Sequence, residues 1–143
     1  MFAESPLDLG NLFPSFTAID RVFQMPLFVF RTSVGAGLPE SPHRPLVERY
    51  MGGRASGILS FGVGDGREAG ARFIDALRLI VRLVNIGDAK TLVIHPSSTT
   101  HQQLSAEEQV SAGVSPDLVR VSVGTEHIDD IKADLDQALR AVS

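Results

Sequence analysis

One run, Leu118-Val119-Arg120-Val121-Ser122-Val123, constrains the fold more than any other part of the chain. Valine at every second position puts β-branched side chains on one side of a strand. Leu118, Arg120 and Ser122 fall on the other side. A strand of this kind needs an apolar cover on its valine face. The chain supplies one directly afterwards. Ile128, Ile131, Leu135, Ala138, Leu139 and Val142 recur at helical spacing, which predicts a helix over residues 127–142. Asp129 and Asp130 near its start and Arg140 near its end suit the helix dipole.

A second stripe, Ala69, Phe73, Ala76, Leu77, Ile80 and Val84, predicts a helix from Arg67 to Leu83. Asp65, with Glu68 three residues on, reads as its capping box. Gly57–Val63 reads as a strand, with Leu59, Phe61 and Val63 on one face and Ile58 and Ser60 on the other. Thr91–Ile94 reads as a further short strand. Arg44–Tyr50 suits a short helix with Pro45 in its first turn, stopped by Gly52-Gly53. Ser105 and Glu108 form another capping box, and Gly113 ends the short helix that follows. The order predicts an α/β (α+β sandwich) fold: a sheet of three or four strands with helices packed on one face. Arg120 then points to the face without helices. There it is open to an anion, a partner domain or a surface salt bridge.

Residues 1–36 read as a separate, irregular leader. Six of the eight phenylalanines fall in the first 30 residues, and Pro6, Pro14 and Pro26 interrupt any helix. Within it, Gln24–Phe30 suits one strand, with Pro26 placing it at a sheet edge. Residues 37–143 read as the folded domain.

Between the two long helical patterns lies Asn85–His101, rich in small polar groups. Polar connections on a rigid scaffold are where binding residues tend to sit. Here Asn85 also suits a plain turn before Ile86-Gly87. His95 and His101 have neither metal-ligand spacing nor a helical i, i+4 relation, and read as hydrogen-bonding loop histidines. Ser97, Ser98, Thr99 and Thr100 lack a nucleophile-elbow pattern. Phe61-Gly62-Val63-Gly64-Asp65-Gly66 fails as a dinucleotide fingerprint, because Arg67 stands where the third glycine belongs.

Composition removes several function classes. The formal charge is −4 over 143 residues, which gives no attraction to phosphate, so nucleic acid is not expected as a partner. With no cysteine there is no disulfide or thiolate chemistry, in keeping with a reducing cytosol. No stretch approaches the ~20 apolar residues that span a bilayer, and the first residues lack a basic signal-peptide region.

Taken together, several stretches resemble a known domain. They are Gly57-Ile58-Leu59-Ser60-Phe61-Gly62, then Asn85-Ile86-Gly87-Asp88-Ala89-Lys90-Thr91-Leu92, then His95-Pro96-Ser97-Ser98-Thr99-Thr100-His101, then Val119–Asp130. In this order they resemble the C-terminal domain of O-acetylhomoserine sulfhydrylases, in the cystathionine γ-synthase-like group of fold-type I PLP enzymes. The Gly-Asp-Ala-Lys segment, against Gly-Gly-x-Glu in related branches, favours the sulfhydrylase branch. The resemblance implies that Arg120 grips a substrate α-carboxylate, that Asn85 lies beside it and that Thr100 supports the site. It implies that Lys90 bears on side-chain specificity.

By the same resemblance, the Schiff-base lysine and the other groups that hold pyridoxal 5'-phosphate belong to a large domain. The chain's two lysines, Lys90 and Lys132, match neither. The expectation is a cytoplasmic C-terminal domain that binds no covalent cofactor alone. Its partners would be the missing large domain or a full-length homologue, a small amino-acid substrate, and further copies in a homo-oligomer. The alternatives are a non-enzymatic amino-acid-binding or regulatory module, or an inert truncated remnant.

Overall fold

A computed structural model describes residues 33–38, 41–64 and 66–142. The leader expected at residues 1–36 lies outside these apart from its last four positions, as do the strand expected at Gln24–Phe30 and the cap expected at Asp65.

A mixed sheet holds the fold together. Its strands are β1 (Ser33–Val34), β2 (Ile58–Gly62), β3 (Val81–Arg82), β4 (Leu92–Ile94) and β5 (Leu118–Ser122), in the order β1-β2-β5-β4-β3. The expected strands occupy the middle of the sheet. The two edge strands, each of two residues, raise the count from the expected three or four to five. β2, β5 and β4 are antiparallel, with Leu59 opposite Val121, Phe61 opposite Val119 and Val93 opposite Val121. These residues all point to one face and are at most 1% exposed.

The helices are α1 (Arg44–Met51), α2 (Gly66–Ala76), α3 (Ala106–Ser111) and α4 (Ile128–Arg140). The core joins Phe73 and Ile74 of α2 and Ile131, Leu135, Ala138 and Leu139 of α4 to the valine face of β5. Phe61 meets Phe73 edge-on at 5.8 Å, a favourable aromatic geometry. The alternation of Val119, Val121 and Val123 thus does what its pattern requires. Burial of apolar surface at roughly 25 cal/mol per Å² is the main force holding helices to sheet.

The expected helix Arg67–Leu83 is shorter. α2 ends at Ala76, and the chain turns through residues 77–80 into β3. The cause is remote in sequence. The carboxylate of Asp134 on α4 accepts the N–H groups of Arg78 at Oδ1 and of Leu79 and Ile80 at Oδ2, each at 2.9 Å. A negative charge meeting three successive N–H groups is a strong, directed interaction. It offers those donors a partner that a continued helix does not. Gln137 completes the stop by donating to the Ala76 carbonyl at 2.7 Å.

The other short elements follow local chemistry. Ser105 and Glu108 make both bonds of the capping box. Gly52, at φ 59°, closes α1 in a left-handed conformation that suits glycine. Among the described residues, no helix is long and apolar enough to cross a membrane.

Candidate functional site

β3 and β4 run parallel although they follow each other in sequence. A parallel pair cannot be joined by a hairpin, so the chain must cross from the end of one strand to the start of the other. It does so through residues 83–91, over the sheet face opposite the helices. Leu83 to Lys90 are all exposed. This crossover is the first half of the polar stretch singled out from sequence.

The crossover is held to β5 at its near end by two bonds. Arg120 Nη2 donates to the Val84 carbonyl at 2.6 Å, and the Gly87 N–H donates to Ser122 Oγ at 3.2 Å. Arg120 stands on the open face between Ser60 of β2 and Ile94 of β4, and is half-buried. One side of its guanidinium is used by the chain itself. The fork retains further N–H donors of the kind that match a carboxylate.

Asn85 follows Val84 directly and is exposed, so the crossover carries it next to the group that Arg120 holds. Thr100 lies beyond the 3-10 turn Pro96–Ser98, is exposed, and its Oγ1 meets His101 Nδ1 at 2.9 Å. The structure therefore brings Arg120 and the Asn85 segment together, and sets Thr100 on the turn after β4, hydrogen-bonded to His101 and to neither of them.

That turn is rigidly built. His95 is fully buried. Its Nε2 faces the Pro116 carbonyl at 2.8 Å, and its Nδ1 faces Ser98 Oγ at 2.8 Å. A carbonyl can only accept, so Nε2 carries the proton and Nδ1 accepts from the serine. Burial holds the His95 pKa below its ordinary value. The Pro116 carbonyl opposes that shift, Arg67 adds to it and Asp117 opposes it. Gln109 Nε2 donates to the carbonyls of Ser97, His101 and Leu104, tying the turn to α3. The reading of His95 as a hydrogen-bonding loop histidine is met.

Sequence reasoning missed the far anchor of the crossover. Both oxygens of Glu126 bind Thr91, at its N–H and at its hydroxyl, each at 2.7 Å. Thr91 Oγ1 accepts the Gly124 N–H at 2.9 Å, and the Thr125 N–H and hydroxyl donate to the Ala89 carbonyl at 2.9 and 3.1 Å. The available signal was a buried-type threonine opening an apolar strand and an acidic residue just past β5. Neither by itself indicates a partner.

A cleft of about 550 Å³ lies under the crossover, between Ile58 at the start of β2, Ile86, Asp88 and Ala89, and Val123 and Thr125 beyond β5. Its walls carry no lysine, arginine or aromatic residue, and they do carry the Asp88 carboxylate. Pyridoxal 5'-phosphate needs a lysine amine, donors for a phosphate dianion and a surface for its ring. Lys90 is exposed on the crossover and Lys132 is on α4. The described residues do not fit that cofactor.

The comparisons with known proteins follow the same line. The family described as Cys/Met metabolism PLP-dependent enzyme matches residues 31–140. O-acetyl-L-homoserine sulfhydrylase 1 of Thermus thermophilus is 54% identical over 103 residues, covering 72% of this chain and 24% of that protein. Homocysteine synthase of Schizosaccharomyces pombe is 50% identical over 103 residues, with the same coverage of 72% and 24%. A solved Campylobacter jejuni structure, described as an O-acetylhomoserine (thiol)-lyase with an N'-pyridoxyl-lysine-5'-monophosphate residue, superposes with a TM-score of 0.76. It is 34% identical, over 88% of this chain and 30% of that one. The chain spans about a quarter of the length of these curated relatives. With residues 31–140 matched to its model and relatives at 50% identity or more among its members, the chain belongs to the Cys/Met metabolism PLP-dependent enzyme family.

Proposed function

We propose that this chain supplies the substrate-carboxylate half of an O-acetylhomoserine sulfhydrylase site and does not turn over substrate alone. The observation that carries the reading is Arg120. It stands on the sheet face away from the helices, bonded on one side to Val84 and beside the Asn85 segment. In the proposed site Arg120 takes the α-carboxylate of the amino-acid substrate through two parallel N–H bonds. Asn85 adds a polar contact beside it, and Thr100 supports the site from the neighbouring turn. Residues 37–143 form this carboxylate-holding domain, and Lys90 bears on the substrate side chain. The parent reaction replaces the acetyl group of O-acetylhomoserine with sulfide or a thiol, in methionine biosynthesis. Pyridoxal 5'-phosphate and its lysine come from the large domain of the family, outside residues 37–143. The assembly is a homo-oligomer in the cytoplasm.

The test is complementation. Mixed with a large-domain fragment of a sulfhydrylase, the chain is expected to restore turnover of O-acetylhomoserine with sulfide, and Arg120→Ala to abolish it. An imine absorbance in the isolated chain, fixed by borohydride to Lys90 or Lys132, would refute the view that it lacks cofactor chemistry of its own.

A second reading has its own support. Leu83, Val84 and Ile86 are 44%, 48% and 56% exposed around Arg120. A contiguous apolar rim of this kind suits a protein contact. The chain would then be a regulatory module that docks on a complete homologue. Co-purification with a full-length sulfhydrylase, with no gain of activity, favours this reading.

A further inference from the structure

We infer that Glu126 is the positioning residue that keeps the crossover in register over Arg120. The inference rests on the carboxylate reading above for its functional meaning. It concerns residues to which that reading gives no role.

The crossover has two fastenings, and they differ in kind. At the near end each contact is a single hydrogen bond, from Arg120 to the Val84 carbonyl and from Gly87 to Ser122. At the far end Glu126 uses both carboxylate oxygens on one residue, the fully buried Thr91, through its N–H and its hydroxyl. Bonds with one ionised partner are the stronger ones; the near end has one of these, from Arg120, and the far end has two, both to Glu126. The same threonine oxygen accepts the Gly124 N–H, so the clasp is passed on to the end of β5. Gly124 also leaves no slack there. A Cβ at that position would collide with the backbone of Ala89, Lys90 and Thr91. The backbones are therefore in direct contact, and Glu126 locks that contact from one side.

The consequence for the site is geometric. Ala89 and Thr91 are fixed to the segment that follows β5, and Arg82 is fixed in β3. The path of residues 83–88 is set by those two ends. Where that path places the Val84 carbonyl decides which side of the Arg120 guanidinium is left for a ligand. Glu126 touches neither Arg120 nor the ligand; it acts through Thr91 and the crossover backbone.

The experiment uses the full chain, isotopically labelled, as wild type and as E126Q. In E126Q the new amide keeps one acceptor for the Thr91 N–H. Its NH2 group can only donate, so the Thr91 hydroxyl loses its acceptor and both bonds lose the carboxylate charge that strengthens them. Loss of a charge-assisted hydrogen bond corresponds to roughly tenfold in an opening equilibrium. We expect amide exchange at Gly87, Lys90 and Thr91 to speed up about tenfold, exchange at Leu59 and Val121 to stay as in wild type, and the Arg120 Nε–H resonance to shift. Equal acceleration at all these amides, or none at the crossover, overturns the inference. If E126Q does not fold, Thr91→Val removes the hydroxyl bond to Glu126 together with the acceptor of the Gly124 N–H, and the same selective acceleration at the crossover is expected. Thr91→Ser keeps both donors and should leave the exchange pattern as in wild type.

Titration with O-acetyl-L-homoserine, followed at the Arg120 Nε–H, supplies the second readout. Binding to wild type that weakens about tenfold in E126Q and vanishes in Arg120→Ala supports both the clasp and the carboxylate site. Unchanged affinity in E126Q refutes the positioning role. No binding to wild type, either alone or mixed with the large-domain fragment, refutes the carboxylate reading, while the exchange pattern still decides whether Glu126 holds the crossover.

Discussion

Gly70 and His95 give the sharpest test of how the site's supporting turn is built. Gly70 lies inside α2, where alanine would ordinarily stabilise by about 1 kcal/mol. In this structure a Cβ at residue 70 would sit directly against the His95 ring, within 2.6 Å of Cδ2 and closer still to Nε2. The ring cannot retreat at low cost. It is fully buried, and its nitrogens are engaged with Ser98 and Pro116. Overpacking a tight site costs about 1–3 kcal/mol. Displacing the ring also breaks buried hydrogen bonds, which adds about 1–3 kcal/mol. Set against the helix gain, Gly70→Ala should destabilise by roughly 1–5 kcal/mol. Urea unfolding, followed by circular dichroism with the m-value checked for constancy, measures it. The same substitution in a His95→Ala background removes the collision and should be neutral or stabilising by up to ~1 kcal/mol. A Gly70→Ala protein as stable as wild type, or an equal loss in both backgrounds, would show that the helix does not rest on the histidine as described.

Three further outcomes are expected. Asp134→Ala strips the acceptor from the Arg78, Leu79 and Ile80 N–H groups; only the Ile80 bond is fully buried, so the loss should be ~2–4 kcal/mol, read by urea unfolding, and a loss below ~1 kcal/mol would refute its role as the helix stop. His95 is held below its ordinary pKa of 6.5 by burial, so the unfolded chain takes up the proton first. Its contribution should be complete above pH 6.5 and lost progressively as pH falls below it, a slope in the unfolding midpoint that His95→Gln should remove. Arg120→Lys keeps the charge but loses the fork, and should weaken O-acetyl-L-homoserine binding about tenfold by titration while leaving the melting temperature within a few degrees.

The middle of the fold was legible because its determinants are local. The alternation at Leu118–Val123 fixed which side of β5 is buried, and with it the side on which Arg120 stands. The stripe of α4 and the Ser105–Glu108 box are likewise short-range patterns. What could not be read depends on partners far along the chain. The stripe through Ile80 and Val84 keeps helical spacing past Ala76. The helix nevertheless stops, because Asp134, on α4, claims the next N–H groups. β3 follows from that stop, and the parallel crossover follows from β3. Arg120's bond to the Val84 carbonyl and the grip of Glu126 on Thr91 exist only once that path is taken. The arginine was visible in the sequence; the company it keeps was not.

The crossover is fastened mainly through main-chain atoms: the Val84 and Ala89 carbonyls and the Gly87 and Thr91 N–H groups. Its side chains at Asn85, Ile86 and Lys90 remain exposed and make no hydrogen bond to the crossover backbone, whereas the Asp88 carboxylate accepts the Lys90 N–H. Shape and chemistry are thereby separated. Substitutions at Asn85, Ile86 and Lys90 can alter charge, size or polarity above the arginine without redirecting the backbone that presents them, whereas an inserted or deleted residue would slip one fastening against the other. The segment is a fixed frame with exchangeable faces, and a change of ligand preference here calls for new side chains rather than a new fold.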